Sequence, residues 1–367
     1  MEDIQLKIAL SIIPKIGPVL VRRLVAYTGG IEAVFREKKH VLSKIPGIGE
    51  AKAALINPSI LLNEAEAEIK YIEKEGIKAY FYLDKNYPLR LKECEDAPVI
   101  FYSQGDTDFN AAKIISIVGT RNASENGKIT TEEIVKYLSD NFPEIIVVSG
   151  LAYGIDIASH KAALKYDVNT IAVLGHGLSF LYPAIHRKYA RKIVNQGALV
   201  TEFRYEQKPE PGNFVSRNRI IAGLADATLV VESAEKGGAL ITADMANSYN
   251  REVFAIPGRS NDPYSKGCNN LIKLNKAALV ECGADLEFAM GWHKELKKPG
   301  TIQKSIFISV SQDEEKILNL LTGHEGIALD QISRTLEIPV SKVSANLLNL
   351  EFNGLVRSLP GKMYSRI

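Results

Sequence analysis

Three short stretches of this chain carry groups suited to holding an anion. Gly119-Thr120-Arg121 follows the β-branched run Ile114–Val118, and Ser149-Gly150-Leu151-Ala152-Tyr153-Gly154-Ile155-Asp156 follows Ile145–Val148. Each run ends in glycines and small hydroxyls just before a helical pattern. Backbone N–H groups at a helix start are unpaired and partially positive, which favours an anion there. Arg121 adds a full charge to the first loop. The third stretch, Arg217-Asn218-Arg219, reads as the start of a helix behind a Pro-rich loop, Pro209–Ser216. Cations at a helix N-terminus oppose the macrodipole, so the pair calls for another use. One guanidinium toward a polyanion and one toward an internal carboxylate would serve, because a spacing of two puts them on different faces. Phe214, just upstream, is placed either to stack on an unpaired base or to fix the helix entry.

Catalytic sets are sparse. No Gly-x-Ser-x-Gly elbow occurs, so no hydrolase nucleophile is indicated. Gly175-His176-Gly177-Leu178-Ser179-Phe180 has Phe180 where a dinucleotide fingerprint needs its third glycine. Gly127-Lys128-Ile129 lacks the flanking residues of a Walker A loop. Both departures argue against nicotinamide chemistry and ATP hydrolysis. Asp156 and His160, at i and i+4, are either an acid–base couple or a helix-start carboxylate beside a satisfied histidine. Cys94, Cys268 and Cys282 show no metal-ligand or redox spacing, so no metal or cofactor is expected.

The elements that must position these groups alternate. Strands are expected at Ile77–Leu83, Pro98–Tyr102, Ile114–Val118, Ile145–Val148, Thr170–Leu174, Ala198–Glu202, Thr228–Val231, Val253–Ile256 and Ala278–Glu281. Helical stretches such as Glu125–Asp140, Ile155–Lys165 and Arg187–Asn195 separate them. This pattern makes residues 77–293 an α/β, Rossmann-like, doubly wound and mostly parallel sheet. Ligands of such sheets bind outside the carboxyl ends of the strands. That edge also receives Gly175-His176-Gly177, Lys236-Gly237-Gly238 with Thr242, and Pro257-Gly258-Arg259.

Residues 1–75 read as helical, with hydrophobic-Gly hairpins at Ile45-Pro46-Gly47-Ile48-Gly49 and, more loosely, Ile13-Pro14-Lys15-Ile16-Gly17-Pro18. Tandem helix-hairpin-helix (SAM-like) units of this kind either aim N–H groups at DNA phosphates or simply turn a bundle. A linker is expected over 294–305. Residues 306–367, with three helical patterns and a terminal hairpin, read as a winged helix. Lys342, Arg357, Lys362 and Arg366 against Glu351 make that segment locally basic. Its use is either duplex binding or protein contact; arginine is scarce in the Val340–Asn346 stretch that would read bases.

With 367 residues, 46% hydrophobic and 24% charged, the chain is long enough for two or three packed domains. A net charge of +2 and a pI of about 8.2 neither demand nor exclude nucleic acid, so any basic surface must be local. No signal peptide and no bilayer-length apolar run appear, which points to the cytoplasm and away from a membrane.

Taken in order, Gly119–Arg121, Ser149–Asp156, Arg217–Leu224, Gly238–Ala243 and Phe254–Gly258 resemble the signatures of the DNA-processing protein A (DprA/Smf) family. The resemblance is strong over Ile77–Leu286. It implies an extended Rossmann fold that binds single-stranded DNA in a basic pocket without enzymatic activity. It also implies a homodimer that brings the strand to a RecA-type recombinase during natural transformation. By motif position, Arg121 would face the nucleic acid and the Ser149–Gly154 loop would hold a phosphate. Arg217, Asn218 and Arg219 would line the same pocket with Phe214 near a base, and Lys236, Gly237, Gly238 and Thr242 would complete it.

Two readings from other classes compete. One is a nucleoside-monophosphate phosphoribohydrolase-like enzyme on the same sheet. The loop Gly237–Met245 lacks the glycine-threonine step and glutamate of that group, which removes its expected acid–base residue. The other is a nucleotide-sensing domain that signals through the winged helix.

Overall fold

A computed structural model describes residues 2–292, 311–322, 326–353, 355–359 and 362–366. Its contacts divide the chain into two compact units, Met1–Lys294 and Glu295–Ile367. The linker expected over 294–305 lies outside the described residues.

The first unit opens with six helices: α1 (Glu2–Ser11), α2 (Pro18–Thr28), α3 (Ile31–Arg36), α4 (Lys39–Leu42), α5 (Gly49–Leu55) and α6 (Pro58–Glu75). Proline occupies the first position of α2 and α6, where its missing N–H costs nothing. Both helices end on a left-handed glycine, Gly29 and Gly76. The two expected hairpins fall where the sequence places them, between α1 and α2 and between α4 and α5. Ile8, Leu10, Leu24, Val34 and Leu42 share one core with Phe81, Ile100 and Tyr102, so these helices pack onto strands.

Those strands belong to a nine-stranded sheet: β1 (Lys78–Phe81), β2 (Ile100–Gly105), β3 (Ile114–Val118), β4 (Ile146–Ser149), β5 (Asn169–Val173), β6 (Gly197–Thr201), β7 (Ala227–Val230), β8 (Glu252–Ala255) and β9 (Ala278–Leu279). Its order is β1-β2-β6-β5-β4-β3-β7-β8-β9. From β6 to β9 all neighbours are parallel, while β1 and β2 join antiparallel. The largest offset from the sequence reading is β2, which begins two residues later and ends three later; β1 and β9 each end two residues early.

Between and after the strands run α7 (Leu89–Lys92), α8 (Glu125–Asn141), α9 (Ile155–Lys165), α10 (Arg187–Gln196), α11 (Pro211–Leu224), α12 (Gly238–Ser248), α13 (Lys266–Lys273) and α14 (Gly283–Ala289). Side chains alternate across a strand, so β3 splits its burial between two cores. Ile114 and Val118 pack with Ile220, Ile221, Ala239 and Ala243 of α11 and α12. Ile115 and Ile117 pack with Ile134, Leu138 and Ile155 of α8 and α9. Every residue of β3 is buried, which is why its sequence is continuously apolar apart from Ser116. From β3 the chain winds outward through β4 and β5 to β6, then returns to β7 on the other side. The gap above β3 and β7 is therefore the topological switch point, where open α/β sheets take ligands.

The second unit contains α15 (Gln312–Leu321), α16 (Leu329–Leu336) and α17 (Val340–Phe352) with a sheet of β10 (Ile327–Ala328), β12 (Met363–Arg366) and β11 (Val356–Leu359) in that order. This is a winged helix. No helix among the described residues is long and apolar enough to cross a membrane.

Candidate functional site

A cleft of about 700 Å³ opens at the switch point. Its floor is the loop after β3, with Gly119, Thr120, Arg121 and Asn122; one wall is α11 and the other is the loop into α12. The two glycine-rich junctions are fastened to each other below it. Thr120 N–H donates to Glu232 O at 2.7 Å, and Ile155 N–H donates to Thr120 O at 3.2 Å. Gly154, at φ 77°, lies against the backbone of Thr120 and Arg121, where a side chain has no room. Gly119 is pressed equally closely between Ile155 and the Glu232 carbonyl.

Of the residues expected at the site, Gly119, Thr120, Arg121, Ala152, Phe214, Arg217, Asn218, Lys236, Gly237, Gly238 and Thr242 line this cleft. Arg121 and Lys236 are exposed, whereas Thr242 is buried. The remaining expected residues turn elsewhere. Ser149 is buried and its hydroxyl donates to Ile117 O at 2.6 Å, inside the sheet. Gly150 packs against the Arg217 guanidinium. Tyr153 sets its ring edge to His186 at 5.3 Å, and Gly154 supports the floor from behind. Arg219 is ion-paired with Glu202, both side chains being largely buried, and does not reach the cleft.

One local expectation is corrected. Arg217, Asn218 and Arg219 do not open a helix: α11 begins at Pro211 with Glu210 as its N-cap, and these residues lie well inside it. The macrodipole argument lapses there, because that field is confined to the first turn. The split between the two arginines remains, for the reason of spacing alone. Arg219 meets the internal carboxylate Glu202, and Arg217 faces the cleft.

Arg217 is the unusual group. It is 4% exposed, its Nη1 donates to Val173 O, and its Nε is buried without a partner. It forms no ion pair among the described residues. Asp156, also buried, lies against the same side of Gly150. Burial pushes the Arg217 guanidinium down to about 10; Asp156 opposes this, and Arg121 adds to it. Burial likewise pushes Asp156 up, against the pull of Arg217 and of the amides of Ala152 and Gly150. A buried cation with incomplete compensation is costly, and a bound anion would relieve it.

The α11 wall is aromatic at Phe214, as expected, and continues into Tyr182, which was not foreseen. Tyr182 lines the cleft, 46% exposed, with its ring 5.5 Å from that of Phe214. His176 holds it from below: Nε2 accepts Tyr182 N–H at 3.2 Å while Nδ1 bonds Gly177 O at 3.0 Å. Gly175 leaves the space that Phe214 fills. The sequence signal was present in Leu181-Tyr182-Pro183, an exposed-turn aromatic, but nothing in it pointed across the sheet to α11. Asn122 and Tyr264, bonded at 3.2 Å, form a further unforeseen part of the rim.

His160 and His176 have structural partners. His160 bonds Thr170 Oγ1 at 2.7 Å through Nδ1 and has no contact with Asp156 among its hydrogen bonds. Burial holds His160 and His176 below their ordinary values. No group of His, Cys, Asp and Glu suited to a metal occurs among the described residues.

The winged helix and the N-terminal hairpins, the other expected DNA contacts, have several of their polar groups already engaged. In the winged helix, Lys342 pairs with Asp313 at 2.6 Å and Arg366 donates to Thr322 at 2.7 Å. In the N-terminal helices, the first hairpin lines a cavity with Tyr102 and Glu202 of the sheet, so it faces protein. The second has its carbonyls at Pro46 and Gly47 bound by Arg23 and Lys52.

A family model for DNA recombination-mediator protein A matches residues 78–290. Models for the DprA winged helix domain and for a SAM-like tandem helix-hairpin-helix match 308–362 and 8–56. Protein Smf of Synechocystis sp. is 32% identical over 98% of both chains. DNA processing protein DprA of Streptococcus pneumoniae is 36% identical over 63% of this chain and 81% of its own. The X-ray structure of the S. pneumoniae protein superposes with a TM-score of 0.64 at 31% identity, covering 78% of this chain and 96% of that one. A solved structure of DNA processing protein A from Helicobacter pylori, described for its single-stranded DNA binding mode, gives a TM-score of 0.53 at 26% identity, covering 58% of this chain and 95% of that one.

Proposed function

Because the chain belongs to the DNA recombination-mediator protein A (DprA/Smf) family, we propose that its switch-point cleft binds single-stranded DNA and that the protein passes the strand to a RecA-type recombinase. The observation that carries the binding reading is Arg217, a buried guanidinium with no ion-pair partner among the described residues, beside the exposed Arg121 and Lys236. Together they offer a phosphate a charge-assisted bond and relieve an existing electrostatic cost. Tyr182 and Phe214 in the same cleft supply faces for an unstacked base, which a duplex does not present. The proposal extends to delivery to a recombinase, action as a homodimer, work in the cytoplasm and a role without enzymatic activity; family membership and the sequence support these parts. The H. pylori relative's single-strand binding supports the ligand.

Fluorescence anisotropy with oligothymidine, duplex DNA and AMP, over a range of salt, tests the ligand. Single strands are expected to bind best, with log K falling by about 0.7 per phosphate contact for each decade of salt. Arg121→Ala is expected to weaken this binding by about 1–3 kcal/mol. Equal affinity for duplex, or no salt slope, would defeat the proposal, and release of ribose 5-phosphate from AMP would establish the rival enzyme. Delivery is tested by the ATPase of a RecA-type recombinase on strand precoated with a single-strand-binding protein, which this chain is expected to accelerate.

A further inference from the structure

We propose that a single strand leaves the cleft along α10, whose cationic face extends the binding track beyond the switch point. The inference rests on the strand-binding reading of the cleft. Helix α10 carries Arg187, Lys188, Arg191 and Lys192 on one side, while Ala190 and Ile193 are buried on the other. All four cations are exposed. Neither they nor Lys161 of α9 form an ion pair among the described residues.

Stability gives no reason for this arrangement. Arg187 with Arg191 and Lys188 with Lys192 are like charges at i,i+4, which repel. Arg187 and Lys188 also stand in the first turn, against the macrodipole. In a chain of net charge +2, so concentrated a patch points to an external polyanion.

Continuity with the cleft identifies the polyanion. Tyr182, in the cleft wall, lies five residues before α10. His186, at the start of α10, bonds Leu151 O of the loop after β4 at 2.8 Å. Its ring meets that of Tyr153, which is 44% exposed. Tyr189 follows, with Lys161 and Lys188 at 5.1 and 4.9 Å from its ring centre. Aromatic rings and cations thus succeed one another from the cleft onto α10, groups that can stack bases and pair phosphates along one strand. An acidic protein partner would use the charge but has no need of the exposed rings or of a path ending at the cleft.

Anisotropy of the full chain with oligothymidines of about 6 and about 20 nucleotides, one sized to the cleft and one reaching past it, tests the path. The variant R187Q/K188Q/R191Q/K192Q is expected to bind the short strand within about twofold of the parent. It should bind the long strand about tenfold more weakly, with a salt slope shallower by up to about 3, at about 0.7 per lost phosphate contact. Unchanged binding and slope on the long strand overturn the proposal. An equal loss on both lengths overturns it too, since the cations would then serve the cleft or the fold. Arg121→Ala, measured in parallel, keeps the two readings apart: its loss must appear on the short strand, and no loss there overturns the cleft reading, and with it the path that rests on it, whereas an α10 variant that behaves like the parent overturns the path alone.

Discussion

Arg217 and Arg219 are two residues apart and have opposite fates, which can be measured separately. Arg219 neutralises Glu202, a carboxylate pushed up by burial and pulled back by Arg219. Arg219→Gln strands that carboxylate in the interior, so it should lower unfolding free energy by about 3–5 kcal/mol in urea titration. Strand affinity of the fraction that remains folded should hardly move, because Arg219 is not in the cleft wall. Gly150 is expected to behave in the reverse manner. A methyl group there meets the Arg217 guanidinium and Asp156 Oδ2, and overpacking of this kind costs about 1–3 kcal/mol. Gly150→Ala should therefore displace Arg217 and take at least as much free energy from single-strand binding as from unfolding in urea titration. Normal affinity in that variant would mean that Arg217's position does not matter to the ligand.

Among the elements, α9 and β5 carry a pH dependence whose sign follows from one hydrogen bond. Thr170 gives its hydroxyl proton to Val147 O at 2.9 Å, so its oxygen must accept from His160 Nδ1–H. His160 Nε2 is buried with no partner among the described residues, and protonating it would place a charge where none of them accepts it. Burial first, then Arg217 and His186, push His160 down to about 3, against about 6.5 in an unfolded chain. Between those values the unfolded state holds the extra proton, so stability falls as pH drops through 6.5 and is unaffected above about 7. The slope from this group is at most about 1.4 kcal/mol per pH unit. Burial shifts His176 and His186 the same way. Urea unfolding at pH 7 and pH 5 should show the loss, and His160→Leu should flatten it.

The same elements show how far the sequence could be read. Strands buried on both faces announce themselves as β-branched runs, so the sheet and its glycine-rich edge were legible. The start of α11 was missed because Pro209-Glu210-Pro211-Gly212 reads as loop, although Pro211 at the first helical position is itself a start signal. Which way a side chain turns was not legible. Ser149 satisfying Ile117 O and Tyr182 meeting Phe214 both depend on neighbours far apart in the chain. Periodicity carries no information about those.

At the scale of the whole molecule, the cleft and the α10 face both belong to the first unit, while the winged helix holds its own core of Ile317, Leu321, Ile332, Val343, Leu347 and Leu350. Its α17 is an unpromising reader of DNA. Lys342 is committed to Asp313, no arginine occurs in Val340–Phe352, and Leu348 and Phe352 are 53% and 84% exposed. Base readout needs hydrogen-bonding side chains on that helix, most often arginine. A chain ending at residue 294 is therefore expected to fold and to bind both short and long oligothymidine within about twofold of the full protein, with the same salt slope. Its affinity for duplex should also be unchanged. A drop of about tenfold on duplex alone, about 1.4 kcal/mol, would return the winged helix to the list of DNA-binding surfaces; a drop on single strands would mean that the strand engages both units at once.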